Sequence, residues 1–530
     1  MPRLAGPSLT LLALSFGWAG GPAPARGDDK APTSGKAPVA AATDTELEDA
    51  LVAAGAHRAE LEAVLTHFRE AHEERHLAAA RFLIANMPGK GYVITRLHDA
   101  KGVTIPFDPL AFKSFAETQA ALDVIEKAHG PTDFDRERIV LDLETVSAEF
   151  LRRHINRSIA LFDAVPAERR PDFGAFLEYV LPYRGSEEPI EDWLSVLEAR
   201  FAALKPSPIA EPDARAVWRF AGAEAAKALG FDERYYLHPT DQGFAEMERS
   251  RLGRCEDITN RTTYAARALG LVTAADYTPA WGHRDNNHAW PVLLDAGGRG
   301  SDPNGARAAK VYRKTYSLRR DALAYRLPAD RSPPNRFLAS RSSIDVTDQY
   351  GPTTDVAVDL TLDAARAEKF AYLCVFNGGE WVAIQHAPVL EGKAVFPKMG
   401  RALVYLPAIH DGKTLTPAAA PRFVEGDGKV TTLAGKGEAV ALVATATTPE
   451  QKSPDTHETT PTSFLEKGRA YDLFAWRDGA WARVGGTDAA GAEALRVEGL
   501  AADGLYWLVG KDSRKLERVF SIEGGRQRFW

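Results

Sequence analysis

The sequence predicts a multi-domain α+β protein with a helical N-terminal region, an α+β core and two C-terminal β-sandwich-like modules. Three observations carry this. The chain has 530 residues, more than one compact core organises. Apolar residues recur at helical spacing across 44–220, whereas after about 335 short strand-like runs alternate with Gly, Asp and Pro turns. Between these regions the period switches within one short stretch. The hydrophobic fraction of 45% and charged fraction of 26% are those of a globular chain, which excludes a mainly disordered or polytopic membrane protein. Formal charge is −7, and the 65 basic and 72 acidic residues are interspersed without a basic stripe, so no nucleic acid is expected as a partner.

Residues 1–25 read as a signal peptide. Arg3 precedes an apolar run from Leu9 to Ala19, too short to span a bilayer, and small residues end it at Ala23-Pro24-Ala25. Residues 26–43, rich in Ala, Pro, Gly and Lys, read as a linker. No later run of 18 apolar residues occurs. The expectation is a secreted, periplasmic or cell-surface protein with no transmembrane segment after signal removal. In the helical region, 44–220, Leu47, Leu51 and Val52, then Leu61, Val64 and Leu65, fall at spacings of three and four. Further amphipathic stretches cover 136–162 and 190–204.

The core is assigned to 221–334. Residues 256–269 read as a helix ended by Gly270, and 271–279 and 288–294 read as strands, followed by a turn at Ala296-Gly297-Gly298. The β modules are assigned to 335–448 and 463–530, joined by a polar linker at 449–462. They echo each other: the run from Tyr372 matches that from Tyr471, and Tyr405 matches Tyr506, at offsets of 99 and 101. Each echo holds an Asn-Gly or Asp-Gly turn, a strong hairpin signal. The tryptophans of these modules, Trp381, Trp476, Trp481 and Trp507, read first as cross-strand packing and second as a carbohydrate-binding face.

The densest chemistry lies between Gly253 and Gly305. The chain has two cysteines, Cys255 and Cys374, so a four-cysteine metal site is excluded. Cys374 sits in the apolar run YLCVF and reads as a packed strand residue. Cys255 begins the predicted helix, where exposed N–H groups and the helix dipole favour a thiolate and can hold an oxyanion. His288 follows 33 residues later at a strand start, and Asp295 or Asp302 follows it. A thiol, a base and an orienting carboxylate form the logic of nucleophilic acyl transfer. Asp257, Asn287 and Trp290 are the flanking candidates for support or substrate contact.

These residues resemble the transglutaminase-like superfamily, papain-related thiol enzymes whose Cys, His and Asp follow in that order. The matching pieces are Gly253-Arg254-Cys255-Glu256-Asp257, Ala268-Leu269-Gly270, His288-Ala289-Trp290 and Asp302-Pro303. The wider chain is similar to large exported bacterial proteins carrying this domain, through pieces such as FLIANMPG, LEYVLPYR, KVYRKTY and YLCVFN. The resemblance implies a papain-like core, Cys255 as nucleophile, His288 as base and Asp302 as orienting acid. No tryptophan precedes Asp302-Pro303 as the family pattern has it, so Asp295 stands as the fallback. It also implies a cysteine-dependent hydrolase or acyltransferase acting on a protein, peptide or cell-wall-type substrate, with no cofactor and no metal. The competing expectation is an inactive cell-surface scaffold whose β modules do the recognising.

Two metal patterns carry less weight. His72-Glu73-Glu74-Arg75-His76 matches H-E-x-x-H, but its charge-rich surroundings read as a solvated helix face. His283, Asp285, His288 and Cys255 are ligand types without a zinc-site spacing.

Overall fold

The computed structural model describes residues 43–530 except 239, 362, 364–367, 454–458, 489–492, 512 and 514–516. The expected signal peptide, and the linker up to residue 42, lie outside the described residues. The first helix, Asp44–Ala53, starts at a capping box in which Thr43 Oγ1 accepts from Glu46 N and Glu46 reaches back to Thr43 N. Helices Arg58–Glu70, Glu74–Ala85 and Ala148–Ala164 join it around Leu51, Leu61, Val64, Phe68, Leu83, Leu151 and Ile155. The H-E-x-x-H segment is not one helix. His72 has φ +55° and separates two helices, so His72 and His76 do not share a helical face.

The N-terminal region is not wholly helical. It contains an antiparallel sheet ordered Thr104–Ile105, Gly91–Asp99, Thr132–Leu141. The stretch 136–162, expected as a helix, therefore begins as strand, passes through the short helix Asp142–Thr145 and becomes a long helix at Ala148. The β-branched and aromatic run Tyr92, Val93, Ile94 and Thr95 is a strand former, but its partner lies some forty residues away, beyond any local pattern.

His154, on Ala148–Ala164, is buried against Phe150, Tyr183 and Trp193, with Nε2 at 2.7 Å from Leu181 O. Burial lowers its pKa to about 4. An unfolded histidine titrates near 6.5, so the unfolded chain binds more protons between those values. Stability is then complete above about pH 6.5 and falls as pH drops toward 4, by on the order of 3 kcal/mol from this residue. Chemical denaturation of wild type and His154→Gln at pH 7 and pH 4 checks it: the variant, weaker at pH 7, loses less on acidification.

Further along, a four-stranded sheet runs His288–Leu293, Thr273–Thr278, Tyr312–Lys314, Ser343–Asp345, with helix Cys255–Arg267 packed against its first two strands. The last strand carries this sheet past the expected boundary at 334.

The first β module pairs Phe370–Asn377 with Glu380–Pro388 and Leu403–His410, extended by Arg422–Val424 and Val430–Thr432. The second is a seven-stranded, nearly closed barrel-like sheet from Ala480–Thr487 to Leu495–Ala501; at Gly485 an added Cβ would lie 3.2 Å from Val497, where the two edges meet. Strand Ala439–Ala444 belongs to this second sheet, pairing with Leu495–Ala501 and Arg526–Phe529. The boundary thus falls before residue 439. The expected linker 449–462 carries a small ladder, Gln451–Lys452 against Thr459–Thr460. Which sheet a strand joins depends on distant partners, so the polar composition of 449–462 misled.

The internal repeat is visible in the backbone. Both hairpins turn through two residues of positive φ, Gly378-Gly379 and Asp478-Gly479, and both shift register at equivalent places, Leu373/Cys374 and Leu473/Phe474. Tyr405 Oη donates to Gly400 O and Tyr506 Oη to Ala501 O, each at 2.7 Å and five residues back. Phe376, Trp381, Trp476, Trp481 and Trp507 pack together where the modules meet, with ring centroids 5.0–6.0 Å apart. These aromatics form a contact between modules, in which Trp381, Trp481 and Trp507 remain half-buried. Cys374 is fully buried in Phe370–Asn377, and burial pushes its thiol pKa far up. No helix of the described residues is long and apolar enough to cross a membrane.

Candidate active site

Cys255 is the first residue of helix Cys255–Arg267, and a network fixes the turn before it. Asp257, buried in the first helical turn, accepts from Arg254 N at 3.0 Å, Gln242 N at 2.9 Å and Gln242 Nε2 at 3.0 Å. Burial raises the Asp257 pKa against the pull of the Arg254 guanidinium. Gly253 is required by close approach: an added Cβ would lie 2.7 Å from Asp257 Cβ. Arg254 donates to Asp241 at 2.7 Å and to His238 O at 2.9 Å. Cys255 Sγ donates to Glu256 Oε2 at 3.1 Å. Asp257 is thus a positioning residue that caps the helix.

The segment 179–188 straps the helix along its length. Arg267 donates to the carbonyls of Tyr179 and Pro182, Tyr264 Oη bonds Glu188, and Asn260 Nδ2 donates to Ser186 Oγ at 2.7 Å. Glu188 in turn accepts from Gly185 N and Ser186 N. Gln242, Asp241 and Glu188 went unread in the sequence. They lie 13 to 67 residues before Cys255 and carry no local signal, whereas Asp257 sits where a helix cap is expected.

At the far end the chain reverses. Gly270 has φ +72° and leaves no room for a Cβ, which would meet Val165 Cγ2 at 2.2 Å. The helix Cys255–Arg267 rises about 18 Å and the returning strand Thr273–Thr278 about 17 Å, so the strand is long enough to return along the helix. Thr278 pairs with His288 across the hairpin. His288 opens the second strand of the hairpin, and that strand packs against the Cys255 helix.

His288 is buried and stacks on Trp281 and Trp290, with centroids at 6.3 and 5.3 Å. Trp290 is buried and anchored. Its Nε1 donates to Tyr350 Oη at 2.8 Å, and Tyr350 Oη donates to Asp276 Oδ2 at 2.6 Å. Asp276 forms a bidentate pair with Arg313 at 2.8 Å, both fully buried.

Residues 279–287, which lead into His288, are clamped by both β modules. Asn377 Nδ2 donates to the carbonyls of Trp281, Arg284 and Asn286, and its Oδ1 accepts from Asn286 N. From the second module, Arg518 donates to Gly282 O and Asp285 Oδ1, each at 2.8 Å. Asn287 is half-buried at the end of this loop, its N–H donating to Asn286 Oδ1.

The two candidate acids differ in place. Asp295 is exposed beyond the opposite end of strand His288–Leu293, and its Oδ1 accepts from Gly297 N and Arg299 N. Seven residues of strand and turn, on the order of 20 Å, part it from His288, so it is poorly placed as the fallback. Asp302 is half-buried on a segment that folds back along the strand. Gly300 lies against Leu293 O, and Gly305 against the Trp290 and Tyr350 rings. The chain thus carries Asp302 toward the His288 end. Among the described residues no group of three or more His, Cys, Asp and Glu side chains is arranged to hold a metal ion.

No protein-family model matches the chain, and no curated protein matches it.

Proposed function

We propose that the chain is an exported thiol enzyme of transglutaminase-like type that cleaves or transfers an amide acyl group through a Cys255 acyl-enzyme. The observation that supports the reading is Cys255 at the first turn of a fixed helix, with His288 opening a strand that packs against that helix. Cys255 Sγ attacks the carbonyl, and N–H groups of the helix start hold the oxyanion. His288 takes the thiol proton and returns it to the leaving amine, with Asp302 orienting the imidazole. Water then releases the acyl group; hydrolysis is favoured over transfer, as the resemblance implies.

An electrophilic thiol-directed activity probe tests the reading. Labelling at Cys255 that persists in Cys374→Ala and vanishes in His288→Ala is expected. Equal, slow labelling of both cysteines overturns it.

A further inference from the structure

Asn377 stands at the tip of the first module's hairpin, against the loop that precedes His288. It is the last residue of strand Phe370–Asn377, paired with Glu380 before the Gly378-Gly379 turn. The second module offers an internal comparison. Arg477 holds the equivalent place, paired with Ala480, and is exposed. The hairpin therefore needs no amide at this position. Asn377 is instead 9% exposed, and its amide is committed to one loop. Nδ2 donates to the carbonyls of Trp281, Arg284 and Asn286 at 2.9–3.2 Å, and Oδ1 accepts from Asn286 N at 3.1 Å. An amide bonded in this way holds its segment in one conformation, because displacement leaves buried polar groups unpaired.

Two of the residues it binds bear directly on His288. Trp281 is buried and stacks on the imidazole, with centroids at 6.3 Å and 27° between the rings. Asn286, two residues before His288, has φ +73°, and its carbonyl also accepts from Trp281 N at 3.1 Å, which closes the loop on itself. A residue other than glycine persists in the left-handed region where its surroundings over-determine it, and Asn377 binds both the N–H and the carbonyl of Asn286. Neighbouring contacts seat the rest of the loop on the same module. Gly378 N donates to Asp285 Oδ1 at 2.8 Å, and at Gly282 an added Cβ would lie 3.0 Å from Leu403.

We infer that Asn377 is a positioning residue for the thiol chemistry: from the first β module it sets the His288 imidazole through Trp281 and Asn286, so the site is complete only with that module in place. The inference rests on the thiol-enzyme reading above. Its physical basis is orientation. An imidazole takes a proton and returns it along one direction, and a displaced ring loses rate steeply. Asn377 is uncharged, so replacing it changes geometry and leaves the charges at Cys255 as they are. Those include Glu256, whose Oε2 lies 3.1 Å from Sγ, and Arg254, whose Nε lies 3.4 Å from that oxygen.

Rates of Cys255 modification by iodoacetamide, measured on the full chain by peptide mass mapping, test this in wild type, Asn377→Ala, His288→Ala and the double variant. At pH 6 ionisation of the thiol depends on the imidazole, and Asn377→Ala is expected to lower the rate on the order of tenfold. At pH 9.5, above the titration of an ordinary thiol near 8.5, the Asn377→Ala and wild-type rates converge to within about twofold. In the His288→Ala background Asn377→Ala has little further effect, because the residue acts through the imidazole. An Asn377→Ala rate equal to wild type at pH 6 overturns the inference. So does an equal loss in both backgrounds or at both pH values, which is the mark of a loosened fold. Should Asn377→Ala not fold by circular dichroism and melting, Asn377→Ser, which keeps a small polar group there, decides by the same comparisons. A wild-type rate that follows an ordinary thiol and is unchanged in His288→Ala instead sinks the thiol-enzyme reading itself.

Discussion

Cys255→Ala abolishes turnover of an activated ester or amide, with a loss on the order of 10⁴-fold or more in kcat/KM. The size follows from the mechanism. The sulfur is the atom that bonds the substrate, and alanine leaves only binding and the helix N–H groups to act. Cys374→Ala, removing a thiol packed in a strand core, keeps the rate within a few-fold and costs stability instead. The pair separates the two cysteines as cleanly as the structure does. A rate in Cys255→Ala equal to wild type places the chemistry elsewhere.

Arg313→Met is the largest expected loss of stability, about 3–5 kcal/mol. It strips the bidentate partner from Asp276, which then stands fully buried as an uncompensated charge. Arg313 also donates to Gly298 O and Gly300 O, so the turn that redirects the chain toward Asp302 loses its anchor. The strand carrying Trp290 and His288 is tied to the same network through Tyr350. Adding Asp276→Asn to Arg313→Met removes the orphaned charge and restores part of the loss. Denaturant unfolding of the single and double variants measures both effects, and a single variant as stable as wild type contradicts this account.

Much of the site's frame was legible in the sequence because it is local. The 3.6-residue period placed a helix at 256–269, observed as Cys255–Arg267, and Gly270 marked its end. The strands around Asp276 and Trp290 followed from apolar runs bounded by turns. The module repeat was legible too, because a hairpin's turn and its corner tyrosine are fixed by residues close in sequence. What escaped is non-local. Strand Gly91–Asp99 needs Thr132–Leu141 to exist, and Ala439–Ala444 changes modules because its partners come from the chain's last residues. Trp290 reads as a support or substrate residue, and the hydrogen bond that holds it comes from sixty residues away. The clamp of Asn377 and Arg518 on residues 279–287 gives the β modules a structural role at the site that no motif announces.

The central claim is that Cys255 and His288 act as a pair, and the pH dependence of Cys255 modification by iodoacetamide tests it most directly. The account predicts that wild type reacts rapidly at pH 6, far below the titration of an ordinary thiol near 8.5, and that His288→Ala moves the rate profile up toward that value. A wild-type profile that follows an ordinary thiol and does not change in His288→Ala would contradict it.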